Sequence, residues 1–248
     1  MTTDLSSKVV AVTGASSGIG EATALACAQA GAAVALAARR SDRIDALAAR
    51  IIEQGGRAIA IPTDVGDEQQ ARDFIERTHS ELGRLDVLVN NAGVMLLGPI
   101  ENAPTEEWRR MIEANVFGVL YCTHAALPLM HEQGSGHIVN VSSVAGRVAR
   151  AGSGVYNLTK FGVGAFSESL RQEGVPLGVR VTLIEPGAVD TELSGHNRPE
   201  VLEQIKQRFG DIERLTAEDI ARAILYAITQ PPHVSVNEVL IRPTEQAG

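Results

Sequence analysis

Seven short apolar runs, separated by stretches with helical spacing, constrain this chain more than any other feature. The runs cover residues 8–13, 33–38, 57–62, 86–89, 137–141, 179–184 and 238–241, and most are rich in Val, Ile and Ala. Runs of that length and composition read as buried strands. Between them, apolar residues recur at three- and four-residue intervals over 19–30, 41–54, 67–82, 104–131, 154–174 and 216–229. The third helix has a capping-box start at Asp67 with Gln70, the last has Thr216 as N-cap, and 104–131 is one long helix bent before Pro128. Strands alternating with helices predict an α/β fold: a doubly wound parallel sheet in the order 3-2-1-4-5-6-7, with helices on both faces.

The length of 248 residues suits a single domain, 1–248, with a small substrate lid at about 193–212 between the sixth strand and the last helix. A formal charge of −8 argues against a nucleic-acid partner, whose footprint would be basic. Cys27 and Cys122 have no metal-ligand spacing, so they read as buried thiols in a reducing compartment, and no metal is expected. No basic stretch followed by an apolar one opens the chain, and no apolar run is long enough to span a membrane. The expectation is a cytoplasmic protein.

The turn after the first strand is Thr13-Gly14-Ala15-Ser16-Ser17-Gly18-Ile19-Gly20. Its glycines allow a tight turn and close approach to a pyrophosphate, which then meets the free N–H groups of the next helix. At the end of the second strand an NAD site usually carries an acid for the ribose 2′-hydroxyl. Here that position reads Ala38-Arg39-Arg40-Ser41. Arg39, with Arg40, can instead pair with a 2′-phosphate, which points to NADP(H). Asp64-Val65 and Asn91-Ala92-Gly93 follow the third and fourth strands, on the same edge. Asp64 could equally start a turn, and Asn91 could equally hold one.

Tyr156 and Lys160 are four apart, so a helix puts them on one face. An ammonium near a phenol favours the phenolate and is expected to lower the Tyr156 pKa from its free value of about 10. Ser143, thirteen residues before Tyr156, falls at the carboxyl end of the fifth strand, the edge where open α/β sheets bind ligands.

These motifs, with Asn115 and Pro186-Gly187, resemble the short-chain dehydrogenase/reductase family in its single-domain form, over nearly the whole chain. The resemblance implies a Rossmann-type fold and an NADP(H)-dependent oxidoreductase that interconverts a carbonyl and an alcohol. It implies Tyr156 as acid/base, Ser143 as the hydroxyl holding the substrate oxygen, Lys160 on the nicotinamide ribose, and Asn115 keeping a relay water. It places Gly14, Ser16, Ser17, Gly18, Ile19 and Gly20 at the phosphates, and Asp64, Val65, Asn91, Ala92 and Gly93 along the adenine half. Pro186, Gly187, Val189 and Thr191 would lie by the nicotinamide. Shorter stretches, 91–99, 184–193 and 241–244, look like the branch containing clavulanic acid dehydrogenase and the NADP-dependent serine and 3-hydroxy acid dehydrogenases. A homotetramer is implied too, with helix 104–131 contributing Met111, Ile112, Val116, Leu120 and Leu127 to its interfaces. Met95, Arg147, Val148, Ser153 and His196 are candidates for the substrate pocket. The rival from another class is a catalytically silent NADP-sensing regulator on the same fold.

Overall fold

The computed structural model of the protein describes residues 4–210 and 212–247; position 211 of the expected lid and the extreme termini lie outside them. The seven strands are β1 (Val9–Thr13), β2 (Ala33–Ala38), β3 (Arg57–Pro62), β4 (Val87–Asn90), β5 (Gly136–Val141), β6 (Val179–Pro186) and β7 (Glu238–Ile241). They form one parallel sheet in the order β3-β2-β1-β4-β5-β6-β7, as the alternation of elements predicts. Side chains of a strand alternate faces, so β1 sends Val10 and Val12 into one core layer and Ala11 into the other.

The first layer is closed by α1 (Gly18–Gln29), α2 (Ser41–Glu53) and α8 (Ala217–Ile228), which bring Ala24, Ile44, Ile220 and Ile224. The second is closed by α3 (Glu68–Leu82), α5 (Gly118–Glu132) and α6 (Gly154–Gly174), which bring Phe74, Ile75, Met130 and Leu170. Every residue of β1, β2 and β4 is buried, while the outermost strand β7 alternates between exposed and half-buried positions. Central strands of a two-layered parallel sheet have no solvent face, which is why they read as continuous apolar runs. Cys27 and Cys122 sit in these layers, and burial pushes both thiols up to about 12, so neither supplies a thiolate.

Local chemistry departs from the sequence expectation in three places. The 104–131 stretch is not one uninterrupted α-helix: it divides into α4 (Thr105–Ile112), a π-helical turn (Glu113–Phe117) and α5, and Pro128 lies inside α5. The widened turn falls on Asn115. Asp67 caps α3 by accepting from the Gln70 amide at 2.9 Å, but the Gln70 side chain reaches back to the Asp64 amide, so the reciprocal half of the box is missing. The full capping box is at Thr216 and Asp219 of α8. The stretch expected to form a lid carries its own helix, α7 (Pro199–Phe209), with Pro199 at its first position, where a missing N–H costs nothing.

Candidate active site

The carboxyl ends of the strands open into a cavity of about 430 Å³. Its wall includes all of the proposed phosphate and nicotinamide contacts except Gly20, together with Arg39, Arg40, Asp64, Val65, Asn91, Ala92, Gly93, Ser143, Tyr156 and Lys160. Gly20 serves one layer further back. A Cβ there would run into the Gly14 carbonyl and the Asn91 side chain, so its missing side chain lets α1 close on the turn. Gly14 has φ +67°, and a Cβ would lie 2.8 Å from the Ala92 Cα. Both the backbone conformation and the space therefore call for glycine at that position. Asn91 fastens this turn: its Nδ2 donates to the Thr13 carbonyl at 3.0 Å. Asp64 starts a turn, its carboxylate accepting from the Gly66 amide at 3.0 Å, and its other oxygen lies 4.0 Å from Arg39. Of the two open readings of each residue, both side chains have the turn-holding geometry.

At the end of β2 the two arginines differ. The Arg39 side chain is 63% exposed and reaches out beside Asp64. Arg40 folds back over the turn, donating to the Ser16 Oγ from Nε at 3.1 Å and Nη2 at 2.9 Å, and to the Ser17 Oγ at 2.7 Å. A glycine turn at a helix N-terminus, two serine hydroxyls and two guanidinium groups are a donor set suited to phosphates. The wall thus has the donors that a phosphate-bearing dinucleotide would need, at Gly14–Ile19 and at Arg39 and Arg40.

Tyr156 stands on α6 and is 6% exposed. Lys160, one turn on, places its Nζ 5.7 Å from the phenol ring centre and donates to the Val141 carbonyl at 3.0 Å. The expectation of a lowered tyrosine pKa is not met. Burial pushes the phenol up to about 12, with the Ser143 hydroxyl opposing the rise, and burial pushes the Lys160 ammonium down to about 8. Desolvation disfavours both charged forms, and it outweighs their attraction because the ammonium is directed to a carbonyl rather than to the phenol oxygen.

Ser143 is held from two sides. Its hydroxyl accepts from the Ala145 amide at 3.1 Å and donates to the Pro186 carbonyl at 3.4 Å. Asn157 clamps the following loop, donating to the Ala145 carbonyl at 2.6 Å and the Val148 carbonyl at 3.0 Å. Arg147 is not in the cavity wall. It turns away to pair with Glu185, at 2.8 Å from Nε, and with Glu238. Glu185 is 2% exposed, and leaving a buried carboxylate unpaired is costly, so this arginine is committed to structure. Met95, Val148, Ser153 and His196 do line the cavity.

Asn115 is also outside the wall. Its side chain accepts from the Val94 amide at 2.8 Å and donates to the Val94 carbonyl at 2.9 Å and the Thr159 Oγ1 at 3.2 Å. Thr159 in turn donates to the Tyr156 carbonyl at 2.8 Å. Both amide hydrogens are thus spent on protein, and they join the 93–96 loop to α6. The sequence reading missed Glu192, Arg150, Arg214 and Gln246, all of which reach the wall. They come from the lid, the loop before α6, the turn before α8 and the last residues of the chain, and no local pattern marks them.

Among the described residues, no group of three or more His, Cys, Asp or Glu could hold a metal ion, and no helix is long and apolar enough to cross a membrane.

Comparison with known proteins agrees with this architecture. An uncharacterized oxidoreductase of Staphylococcus saprophyticus is 43% identical over 248 residues, covering 97% of each chain. The closed form of a serine dehydrogenase complexed with NADP+ superposes with a TM-score of 0.90 at 35% identity, over 97% of this chain and 96% of that one. An alcohol dehydrogenase of Thermococcus sibiricus complexed with 5-hydroxy-NADP gives 0.86 at 31% identity, over 97% and 98%. Residues 8–215 match the family described as short chain dehydrogenase. With that match over most of the chain, and the sheet order and glycine turn to go with it, the protein belongs to the short-chain dehydrogenase/reductase family of oxidoreductases.

Proposed function

We propose that the protein is an NADP(H)-dependent oxidoreductase that interconverts an aldehyde or ketone with its alcohol, using Tyr156 as acid/base. The observation that carries this reading is the meeting of Ser143, Tyr156 and Lys160 in the wall of the same cavity as the glycine turn. A bound nicotinamide supplies the hydride in reduction and takes it up in oxidation. The chain's own groups handle the oxygen. As hydride reaches the carbonyl carbon, negative charge grows on the oxygen, and hydroxyl donors placed beside it stabilise it. Ser143 becomes such a donor when its proton turns from the Pro186 carbonyl to the substrate oxygen, its own oxygen still held by the Ala145 amide. Tyr156 is the second, and its raised pKa keeps the phenolic proton available at neutral pH. The proton passes from the phenol to the alkoxide oxygen, leaving a phenolate that the Lys160 ammonium stabilises. Oxidation runs the same path backwards. Apolar Val94, Met95, Leu97, Val144, Ala145 and Val148 keep water from the reacting atoms. Purified protein given NADPH and a panel of aldehydes and ketones should consume the cofactor; a silent regulator would bind it and consume none.

NADP(H) rather than NAD(H) is supported by Arg39 and Arg40 in the wall at the end of β2, where the usual acid is absent. The serine dehydrogenase and the Thermococcus sibiricus alcohol dehydrogenase are complexed with NADP+ and with 5-hydroxy-NADP.

For assembly we propose a homotetramer. Met111, expected at an interface, is buried inside the protomer. Phe117 on the π-helical turn and Leu158 and Phe161 on α6 are exposed, and the Phe117 ring stacks on Tyr121 at 5.5 Å. On the far edge Tyr226 and Leu240 are exposed. Apolar side chains exposed on α6 and, separately, on α8 and β7 suit the two interfaces of a tetramer with twofold axes. Light scattering should give about four times 26.3 kDa at micromolar concentration; a particle of one chain would refute this.

A further inference from the structure

Glu192 opens the lid segment Glu192–His196, immediately after Thr191, and nothing in the proposed chemistry uses it. Its carboxylate is nevertheless the anion that holds Arg40, at the ribose end of the cavity, together with Arg43, which lies outside the wall. Oε2 accepts from Arg40 Nη1 at 2.8 Å, and Oε1 accepts from Arg43 Nη1 at 2.7 Å. The other edge of the Arg40 guanidinium is spent on Ser16 and Ser17. A guanidinium has five N–H donors in one rigid fork, so a further oxyanion can use Arg40 fully only by displacing a partner it already has. The serine hydroxyls are part of the turn. Glu192 belongs to a separate segment and is about half exposed. It is the partner free to leave. The two arginines hold its carboxyl down at about 2, so it is charged at any working pH.

We propose that Glu192 is an internal competitor for the 2′-phosphate: it occupies the Arg40–Arg43 pair and so sets how strongly the chain prefers the phosphorylated cofactor. The inference rests on the NADP(H) reading above. Its sign does not depend on whether Glu192 leaves or stays. If it leaves, two ion pairs are given up; if it stays, a carboxylate faces the incoming phosphate. Removing its charge therefore helps the phosphate in either case. Exposed pairs such as these are individually weak, and salt screens them, so the effect is moderate.

The test is Glu192→Gln, which keeps the size and removes the charge, with Glu192→Ala as a second variant should the first lose its thermal transition. Calorimetric titration with adenosine 2′-monophosphate and adenosine 5′-monophosphate uses probes without nicotinamide, so the readout is independent of activity; NADPH and NADH are titrated beside them. The expected result is roughly threefold to tenfold tighter binding of the 2′-monophosphate and of NADPH, shrinking at high salt, as removal of one or two exposed charge pairs allows. The 5′-monophosphate and NADH should stay within about twofold on the same grounds. An unchanged ratio between the two monophosphates, a loss of 2′-monophosphate affinity, or an equal gain for both would overturn the proposal. Failure of the underlying cofactor reading looks different: the unaltered protein would bind NADH as tightly as NADPH.

Discussion

Replacing Tyr156 by Phe is expected to lower turnover by about 10²–10⁴-fold, the range for loss of a general acid, while NADPH still binds. The substitution removes one oxygen from a residue already packed among Val94, Leu96 and Met111, so the fold should survive it. The pH profile of the unaltered enzyme gives a second reading of the same group. The phenol's pKa is raised, so it carries its proton through the neutral range, and reduction should be nearly flat with pH there. Oxidation needs the phenolate and should rise as the medium becomes alkaline. Steady-state rates in both directions, with cofactor titration by fluorescence, check both statements. Turnover of Tyr156→Phe within a few-fold of normal would remove Tyr156 from the mechanism.

Lys160→Met should have opposite effects on activity and stability. The ammonium is buried, and its pKa falls from 10.5 to about 8, so the folded chain pays to keep it charged at pH 7. One pKa unit corresponds to about 1.4 kcal/mol, so the burial cost is on the order of 3 kcal/mol. The hydrogen bond to the Val141 carbonyl offsets about 1–2 kcal/mol of the gain from removing it. The cofactor-free variant should therefore melt higher than the parent at pH 7, although its turnover falls by at least about 10²-fold. The sign with pH follows. Between 8 and 10.5 the unfolded chain holds the lysine proton and the folded chain does not, so the parent gains stability from this group as pH rises. From 9 upward Cys27 and Cys122 act the other way, because their thiols stay protonated only when folded. The stability advantage of Lys160→Met should thus narrow above pH 8. Calorimetric melts at pH 7 and pH 9 would show this, and a variant less stable than the parent at pH 7 would contradict it.

Sheet order and the carboxyl-edge position of the site follow from local pattern because the central strands of a two-layered sheet must be apolar throughout and each is followed by a helical stretch. Val10, Val34 and Ile138 announce themselves for that reason. Residues whose roles depend on distant partners do not. Arg147 looks like a pocket arginine until Glu185, thirty-eight residues on, takes it. Glu192 has no local signature, since Arg40 lies 152 positions away. Asn115 can be recognised as a site residue from the family motif, but the π-helical turn that carries it and its hydrogen bonds to Val94 and Thr159 have no local signature. The direction of the tyrosine pKa shift is hidden from the sequence for a related reason. Spacing on a helix places Lys160 near Tyr156, but burial and the Val141 carbonyl decide which way the charge acts.

The most direct test of the central claim is to follow the hydride itself. NADPH deuterated at the transferring position of the nicotinamide would be given to the purified protein with the aldehyde and ketone panel, and the alcohols examined by mass spectrometry. The account predicts at least one carbonyl compound converted to an alcohol carrying one deuterium on the former carbonyl carbon, and loss of that product with Tyr156→Phe despite bound NADPH. Tight NADPH binding with no deuterated alcohol from any member of the panel would contradict it.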